Sequence, residues 1–290
     1  MIGSPCLLPA LFRLAVAAAV LLTPSLSAQP VDLPGMLEVP LGDEELMHPG
    51  VGFIMSLRGT VVRTGAEATG ALERGSVIRE FPFSFSTGGG SYLLMVLSNG
   101  LCLYAGENVS LTIEQFSQER FEPSLDNWQF EPSRSEIAIR QNAGRVAYLR
   151  IQGDPSSAMW VKTPLGTLSS LSDYFALEIH DNDDTDVWLF AESGTAIFNR
   201  GELEREFLQA GQHLRVTRSG ENRTNAQYTP LEPAEQRYFE SLQNRLRSAR
   251  QRVFFFAEAN GGNDWHLRPR VVIDINQLKR ERKSDYFIHR

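Results

Sequence analysis

From Val51 to about residue 218, apolar residues come in short runs cut by Gly, Asn, Asp or Pro. Val51–Val62 reads VGFIMSLRGTVV and Ser91–Leu97 reads SYLLMVL. Leu101, Leu103, Val109, Leu111 and Ile113 mark two further strands joined near Gly106-Glu107-Asn108. Side chains two apart share one face of a strand, so this spacing predicts strands. Asn99-Gly100, set between two apolar runs, predicts a hairpin. Val146–Ile151 and Met159–Val161 alternate in the same way. Phe175, Leu177 and Ile179 share one face, as do Val187, Leu189 and Ala191, with Asp181 to Asp186 as the tip between them. Thr195–Phe198 and His213–Val216 complete the set. A parallel sheet would need crossover helices, and the pattern contains none. The expected fold is all-β, an antiparallel β-sandwich or β-roll over residues 51–218.

From about residue 229 the period changes. Phe239, Leu242, Leu246, Ala249, Val253 and Phe256 recur at steps of three and four, predicting an amphipathic helix of six or seven turns ended by Gly261-Gly262. Thr229 and Glu232 have capping-box spacing, and Pro233 suits a first helical turn. Arg237, Arg245, Arg247, Arg250 and Arg252 occupy the other faces. Arg270 to Ile275 suggests one more strand, and residues 229–290 read as a helical C-terminal extension. The helix stripe, with Phe239, Leu242, Leu246 and Val253 as its interaction positions, either docks on the β domain or pairs with a partner helix.

The other end reads as an address. Residues 1–28 carry one charge, Arg13, then the apolar run Leu14–Leu22, then Pro24 and the small residues before Gln29. That order describes a secretory signal peptide cleaved after Ala28. A membrane-spanning helix needs about 20 apolar residues, and Pro9 and Arg13 interrupt this stretch. A periplasmic or secreted product with no stable membrane span is expected. Residues 29–50, rich in Pro and acids, read as an extended lead-in. Cleavage would remove Cys6 and leave Cys102 alone, so no internal disulfide can form. Stability must come from a core. The net charge of −7 argues against nucleic acid, since phosphate binding needs a field of Lys and Arg.

The order of small motifs from Gly59 to Ile113 resembles the FecR domain of exported bacterial proteins. It runs Gly59-Thr60-Val61-Val62, Ala71-Leu72-Glu73-Arg74-Gly75, Ser86-Thr87-Gly88, Ser91 to Leu97, and Leu101 to Ile113. Asn99-Gly100 stands where the family usually has Asp-Gly. Val161-Lys162-Thr163-Pro164-Leu165-Gly166, Glu192-Ser193-Gly194-Thr195-Ala196 and Leu208–Leu214 are similar to the family's later part. Ser172-Asp173-Tyr174-Phe175 departs from its usual Gly-Thr-x-Phe. The founding members join this domain to a membrane helix and a cytoplasmic anti-sigma segment. A cleaved leader leaves neither here, so the resemblance implies a stand-alone exported FecR-domain protein. What it implies for function is contact with a protein partner of the cell envelope, or binding of envelope material.

Candidate chemistry is sparse. Asp181, Asp183 and Asp186 lie in the densest acidic stretch, and oxygen ligands of this kind suit Ca²⁺. An EF-hand loop would need Gly at the position of Asp186, so a solvated hairpin tip is the alternative reading. Gly88-Gly89-Gly90 lacks the Gly-Lys-Ser/Thr and the helix of a phosphate cradle. The five histidines show no metal-ligand spacing, and no Cys-x-x-Cys, His-Glu-x-x-His or Gly-x-Ser-x-Gly occurs. No cofactor and no catalytic residue is therefore expected, and the chain reads as a non-enzyme. Trp128, Trp160, Trp188 and Trp265, with Tyr92, Tyr104 and Tyr174, offer stacking faces for a glycan, the alternative ligand.

Overall fold

The computed structural model describes residues 47–65, 69–121, 130–151, 153–170, 173–181, 184–189, 195–200, 204–219, 223–259 and 265–272. The leader, residues 29–46 of the lead-in, Asp183, Trp128, Gly261-Gly262 and the last 18 residues lie outside them. Among the described residues no helix is long and apolar enough to cross a membrane.

The chain opens with β1 (His48–Pro49), β2 (Gly52–Arg58), β3 (Val61–Thr64), β4 (Gly70–Ala71) and β5 (Val77–Ile78). Next come β6 (Phe83–Thr87), β7 (Tyr92–Leu97), β8 (Cys102–Ala105), β9 (Ser110–Gln118) and the long β10 (Ser135–Leu149). The second half holds β11 (Ala158–Thr163), β12 (Gly166–Ser170), β13 (Tyr174–Ile179), β14 (Thr185–Leu189) and β15 (Thr195–Asn199). It closes with β16 (Arg205–Gln209), β17 (Gln212–Arg218) and β18 (Thr224–Pro230). Helix α1 (Pro233–Arg250) and the strands β19 (Val253–Ala259) and β20 (Trp265–Val271) follow.

These strands make the expected all-β sandwich. Sheet A runs β4-β3-β6-β9-β10-β11-β12-β15-β16, with β1 beside the far end of β9. Sheet B runs β5-β2-β7-β8-β10-β13-β14-β17-β18. Strand β10 belongs to both. Its first half pairs with β9 and β11, and Gly144–Leu149 pairs with β13 and β8. Strands commonly switch sheets at such a bulged corner. Gly144 is required there: its φ is +75°, and a Cβ would lie 2.7 Å from the Asn108 carbonyl oxygen. Buried Gln141 fastens the corner. Its Nε2 donates to the Gly144 and Leu177 carbonyls, and its Oε1 accepts from the Tyr148 hydroxyl.

The corner explains one departure from an antiparallel fold. β11 runs parallel to β10. Because β10 turns back across the sandwich, both its ends meet at one end of the molecule, where Asn99 Nδ2 donates to Ser135 Oγ at 3.0 Å. The short segment 150–157 then suffices, where a crossover within one sheet needs a dozen residues or more.

The inward faces form one core through both halves of the chain, from Ile54, Phe83, Phe85 and Leu93 to Leu177, Val187, Phe198 and Val216. A second core covers the outer face of sheet B. Phe53, Val96, Cys102, Ala147, Tyr174, Ala176 and Trp188 meet Phe239, Leu242, Leu246 and Ala249 of α1, with Val253, Phe255 and Leu267 of the last two strands. Burying each large apolar side chain contributes about 1.5–3 kcal/mol, so the helix is held as a third layer.

Several boundaries differ from the sequence reading. The sheets continue through Pro230, past residue 218, because β18 pairs with β17 over its full length. At the other end, His48-Pro49 of the lead-in already pairs with β9. The helix is capped by Glu232, with Pro233 in the first turn, and Glu232 N donates to Glu235 Oε2 at 3.0 Å. Thr229 belongs to β18. The helix ends at Arg250, about five turns long. Val253 and Phe256 therefore lie on β19, which pairs with β20, so the extension is a helix plus a hairpin. The helical stripe ran on through Phe254-Phe255-Phe256, yet aromatic and β-branched residues favour a strand once a partner strand is supplied.

Candidate functional site

A broad concavity lies on the outside of sheet B. One wall is the polar face of α1, with Arg237, Ser241, Asn244, Arg245 and Ser248. These residues recur at helical spacing, so the helix that buries Leu242 and Leu246 turns them outward together. The other wall is Met55 and Ser56 of β2, Tyr92 and Leu94 of β7, and Tyr104 of β8, with Arg74 at one side. The groove encloses about 960 Å³.

Its charge is one-sided. Arg74, Arg237, Arg245 and Arg252 line it against a single carboxylate, Glu240, which accepts from Gln236 Nε2. The side chains of Arg74, Arg237 and Arg252 make no hydrogen bond or ion pair among the described residues. Tyr92 and Tyr104 stack with ring centroids 5.5 Å apart. Burial, with Tyr238 nearby, holds the Tyr104 phenol above its ordinary range, although Arg245 donates a hydrogen bond to it. Both tyrosines are half-buried, so the wall is apolar in its ring faces and polar at its rims.

A second polar cluster sits beside it, where β13, β14 and β17 turn alternate residues outward. Asp186, only 4% exposed, accepts from His180 Nε2 at 2.6 Å and from His213 Nε2 at 2.9 Å. Burial would raise its pKa, but those two hydrogen bonds and the Arg215 charge hold it below the usual aspartate range. His213 Nδ1 meets Thr229 Oγ1 at 3.0 Å, and the imidazole stacks on Trp188 at 4.9 Å. Trp188 Nε1 donates to Glu235 Oε1, so the carboxylate that caps α1 also ties it to sheet B. Arg145 lies over Trp188 and Tyr238 and pairs with Glu178.

Glu178, His180 and Asp186 offer three metal-ligand atoms within 4.8 Å of one another. Each is already engaged: Glu178 by Arg145, and Asp186 by both imidazoles with Arg215 at 3.9 Å. A dication would have to break these bonds and sit between two guanidinium groups. Thr229, His213 and Asp186 stand in the order of a nucleophile, base and acid. None of the three lines the groove. The arrangement does the work of a clamp.

The sequence-predicted residues land as follows. Asp186 is not part of a solvated tip; it is buried against His180 and His213. Asp181 is exposed and stands outside the group around Asp186. Phe239, Leu242 and Leu246 are buried on sheet B within the chain, as is Val253 from β19. Trp188 and Tyr174 are buried too, Trp160 is 39% exposed on sheet A, and Tyr92 and Tyr104 reach the groove. The histidine–aspartate cluster escaped sequence reading because His213 is 27 residues from Asp186 and reaches it through the β14–β17 pairing.

No family model matches the chain, and no curated protein matches it. Among solved structures it is similar to two provisionally assigned anti-sigma factors from Parabacteroides distasonis ATCC 8503. One, at 1.65 Å resolution, is 11% identical, with 51% of this chain and 60% of that one covered and a TM-score of 0.36. The match thus spans less than two thirds of that protein. The other, at 2.50 Å, is 10% identical, with 70% of this chain and 90% of that one covered and a TM-score of 0.38. Likeness at this level assigns neither a family nor an activity.

Proposed function

We propose that this chain is an exported, FecR-like interaction module of the bacterial cell envelope that binds a partner protein and catalyses no reaction. One observation carries the reading. The apolar stripe of α1 is used up on sheet B, while its opposite face turns Arg237 and Arg245 into a groove already formed, with no carboxylate paired to either among the described residues. Arg and Tyr are the residues that dominate protein–protein contacts. A groove held rigid by the Glu232–Glu235 cap and the Trp188 bond lowers the ordering cost of binding. The motif order from Gly59 to Leu214 supports the FecR assignment, and the leader-like residues 1–28 support export with cleavage after Ala28.

The test is made in the envelope of the producing bacterium. N-terminal sequencing of the protein recovered there should begin at Gln29. Photo-crosslinking residues placed singly at Ser241 in the groove and at Trp160 on sheet A should trap a discrete protein adduct from at least one position. A protein retained in the cytoplasm, or turnover of a polysaccharide by the purified chain, would overturn the reading.

A further inference from the structure

We propose that the groove between α1 and sheet B receives an extended acidic peptide segment of the partner, its carboxylates on the α1 arginines and its backbone along the open edge of β2. This rests on the interaction-module reading and names what the module recognises. The charge balance sets the sign of the ligand. Four guanidinium groups face one carboxylate, and three of the four have no partner among the described residues. Guanidinium forks bind carboxylates in bidentate fashion, which fixes direction as well as charge.

The backbone of β2 favours a peptide over an acidic sugar. β7 pairs with β2 from Gly52 to Arg58, but on the other side β5 covers Gly52 and Phe53 and the turn before it covers Ile54. Among the described residues no strand pairs with Ser56–Arg58 on that side. Met55 and Ser56 stand in the groove wall where the pairing with β7 slips by one residue. An extended peptide can add to such an edge by main-chain hydrogen bonds, with alternate side chains read by the wall. A glycan has no N–H ladder to offer. Tyr92 and Tyr104, stacked and half-buried, supply the apolar contact for the side chains between the acids.

The experiment uses the full mature chain and a fluorescent eight-residue peptide alternating Glu and Val, followed by fluorescence anisotropy. Saturable binding that weakens as salt rises is expected. Arg237→Glu and Arg245→Glu should each lower the affinity about tenfold. Both side chains are exposed, so unchanged circular dichroism and melting temperature will show that the fold is intact. The corresponding Lys–Val peptide should not bind. Absence of saturable binding, or binding indifferent to both reversals, overturns the proposal. So does binding of tri-galacturonate that is lost on reversal while the peptide fails, which would make the groove a glycan site. An adduct at Trp160 with no peptide binding would leave the interaction module standing and remove only this groove.

Discussion

Sheet A and sheet B come from one chain and share β10, yet they are buried in different ways. In sheet A, β6 alternates buried and half-buried along Phe83-Ser84-Phe85-Ser86-Thr87, and β9 follows the same rhythm. In sheet B, β7 is buried at all but its first residue, and β14 throughout. The difference is a count of covered faces. Sheet A has the sandwich core on one side and solvent on the other, so polar residues fill every second place. Sheet B has the sandwich core on one side and α1 with the terminal hairpin on the other. A sheet covered on both faces reads as an unbroken apolar run, as parallel sheets under helices do. The run YLLMVL was thus already a statement that something else packs on that sheet.

The strongest way to break the comparison is to take the cover away. A chain ending before Glu232 would expose Val96, Cys102, Ala147, Ala176 and Trp188 together. Such a patch drives aggregation. The truncated protein should lose its cooperative melt and leave the soluble fraction; a soluble, folded product would show that sheet B does not need its third layer. For the same reason, deletion of 229–290 is a poor test of partner binding, and single charge reversals on α1 are the better one.

A matched pair of substitutions sharpens the point. Val96, on the outer face of β7, is fully buried, and Ser86, on the outer face of β6, is half-exposed. Val96→Asp should cost about 3–5 kcal/mol, the range seen for an uncompensated buried charge. Ser86→Asp should cost under about 1 kcal/mol, as surface changes do. Urea unfolding of the two variants measures both, and equal losses would mean that the two outer faces are equally covered.

Next in size is the Asp186 clamp within sheet B, whose His213 ring stacks on the Trp188 that holds α1. Asp186→Asn removes the charge from two hydrogen bonds and should cost about 1.5–3 kcal/mol at pH 7. The sign with pH follows from the depressed carboxylate. Its contribution is complete above the ordinary aspartate value of 3.8 and is lost as pH falls through the lower value it has when folded. The gap between wild type and Asp186→Asn should therefore close below about pH 3.8, and a gap that persists there would assign the loss to packing.

What could be read from the residues, and what could not, follows the same division. Strands with apolar alternation or Asn-Gly turns were legible, because both signals are local. β18 was not, since Thr224–Pro230 carries no apolar pattern and becomes a strand only by pairing with β17. The end of α1 was misplaced for a similar reason: Val253 and Phe256 keep the helical beat, while the partner that makes them a strand, Trp265–Val271, lies beyond a loop. Of the groove, Arg237 and Arg245 were visible as the polar face of a helix. Their meeting with Tyr92 and Tyr104 was not, because it depends on which sheet face the helix covers, and periodicity gives the buried stripe without naming its acceptor. One signal was available and unused. Unbroken apolar strands in an antiparallel sheet ask for a covering layer, and the amphipathic helix was the one element free to supply it.

The smallest signal is a chemical rate, and it reports on the same interface from within. Cys102 lies on the outer face of sheet B beneath α1, with no exposed surface. Burial pushes its thiol up to about 12, more than the nearby Arg250 charge can offset. The thiolate is the reacting form, so iodoacetamide at pH 8 should label the native protein only through opening. Leu246, also without exposed surface, packs in the same cluster, and Leu246→Ala should cost about 2–5 kcal/mol. If α1 can lift from the sheet while the sandwich stays folded, that variant should label about thirtyfold faster or more. Ile113→Val, in the core between the sheets, should label at close to the wild-type rate. Labelling in both variants that merely follows global stability would show that the helix and the two sheets open together, and that the third layer belongs to a single cooperative unit.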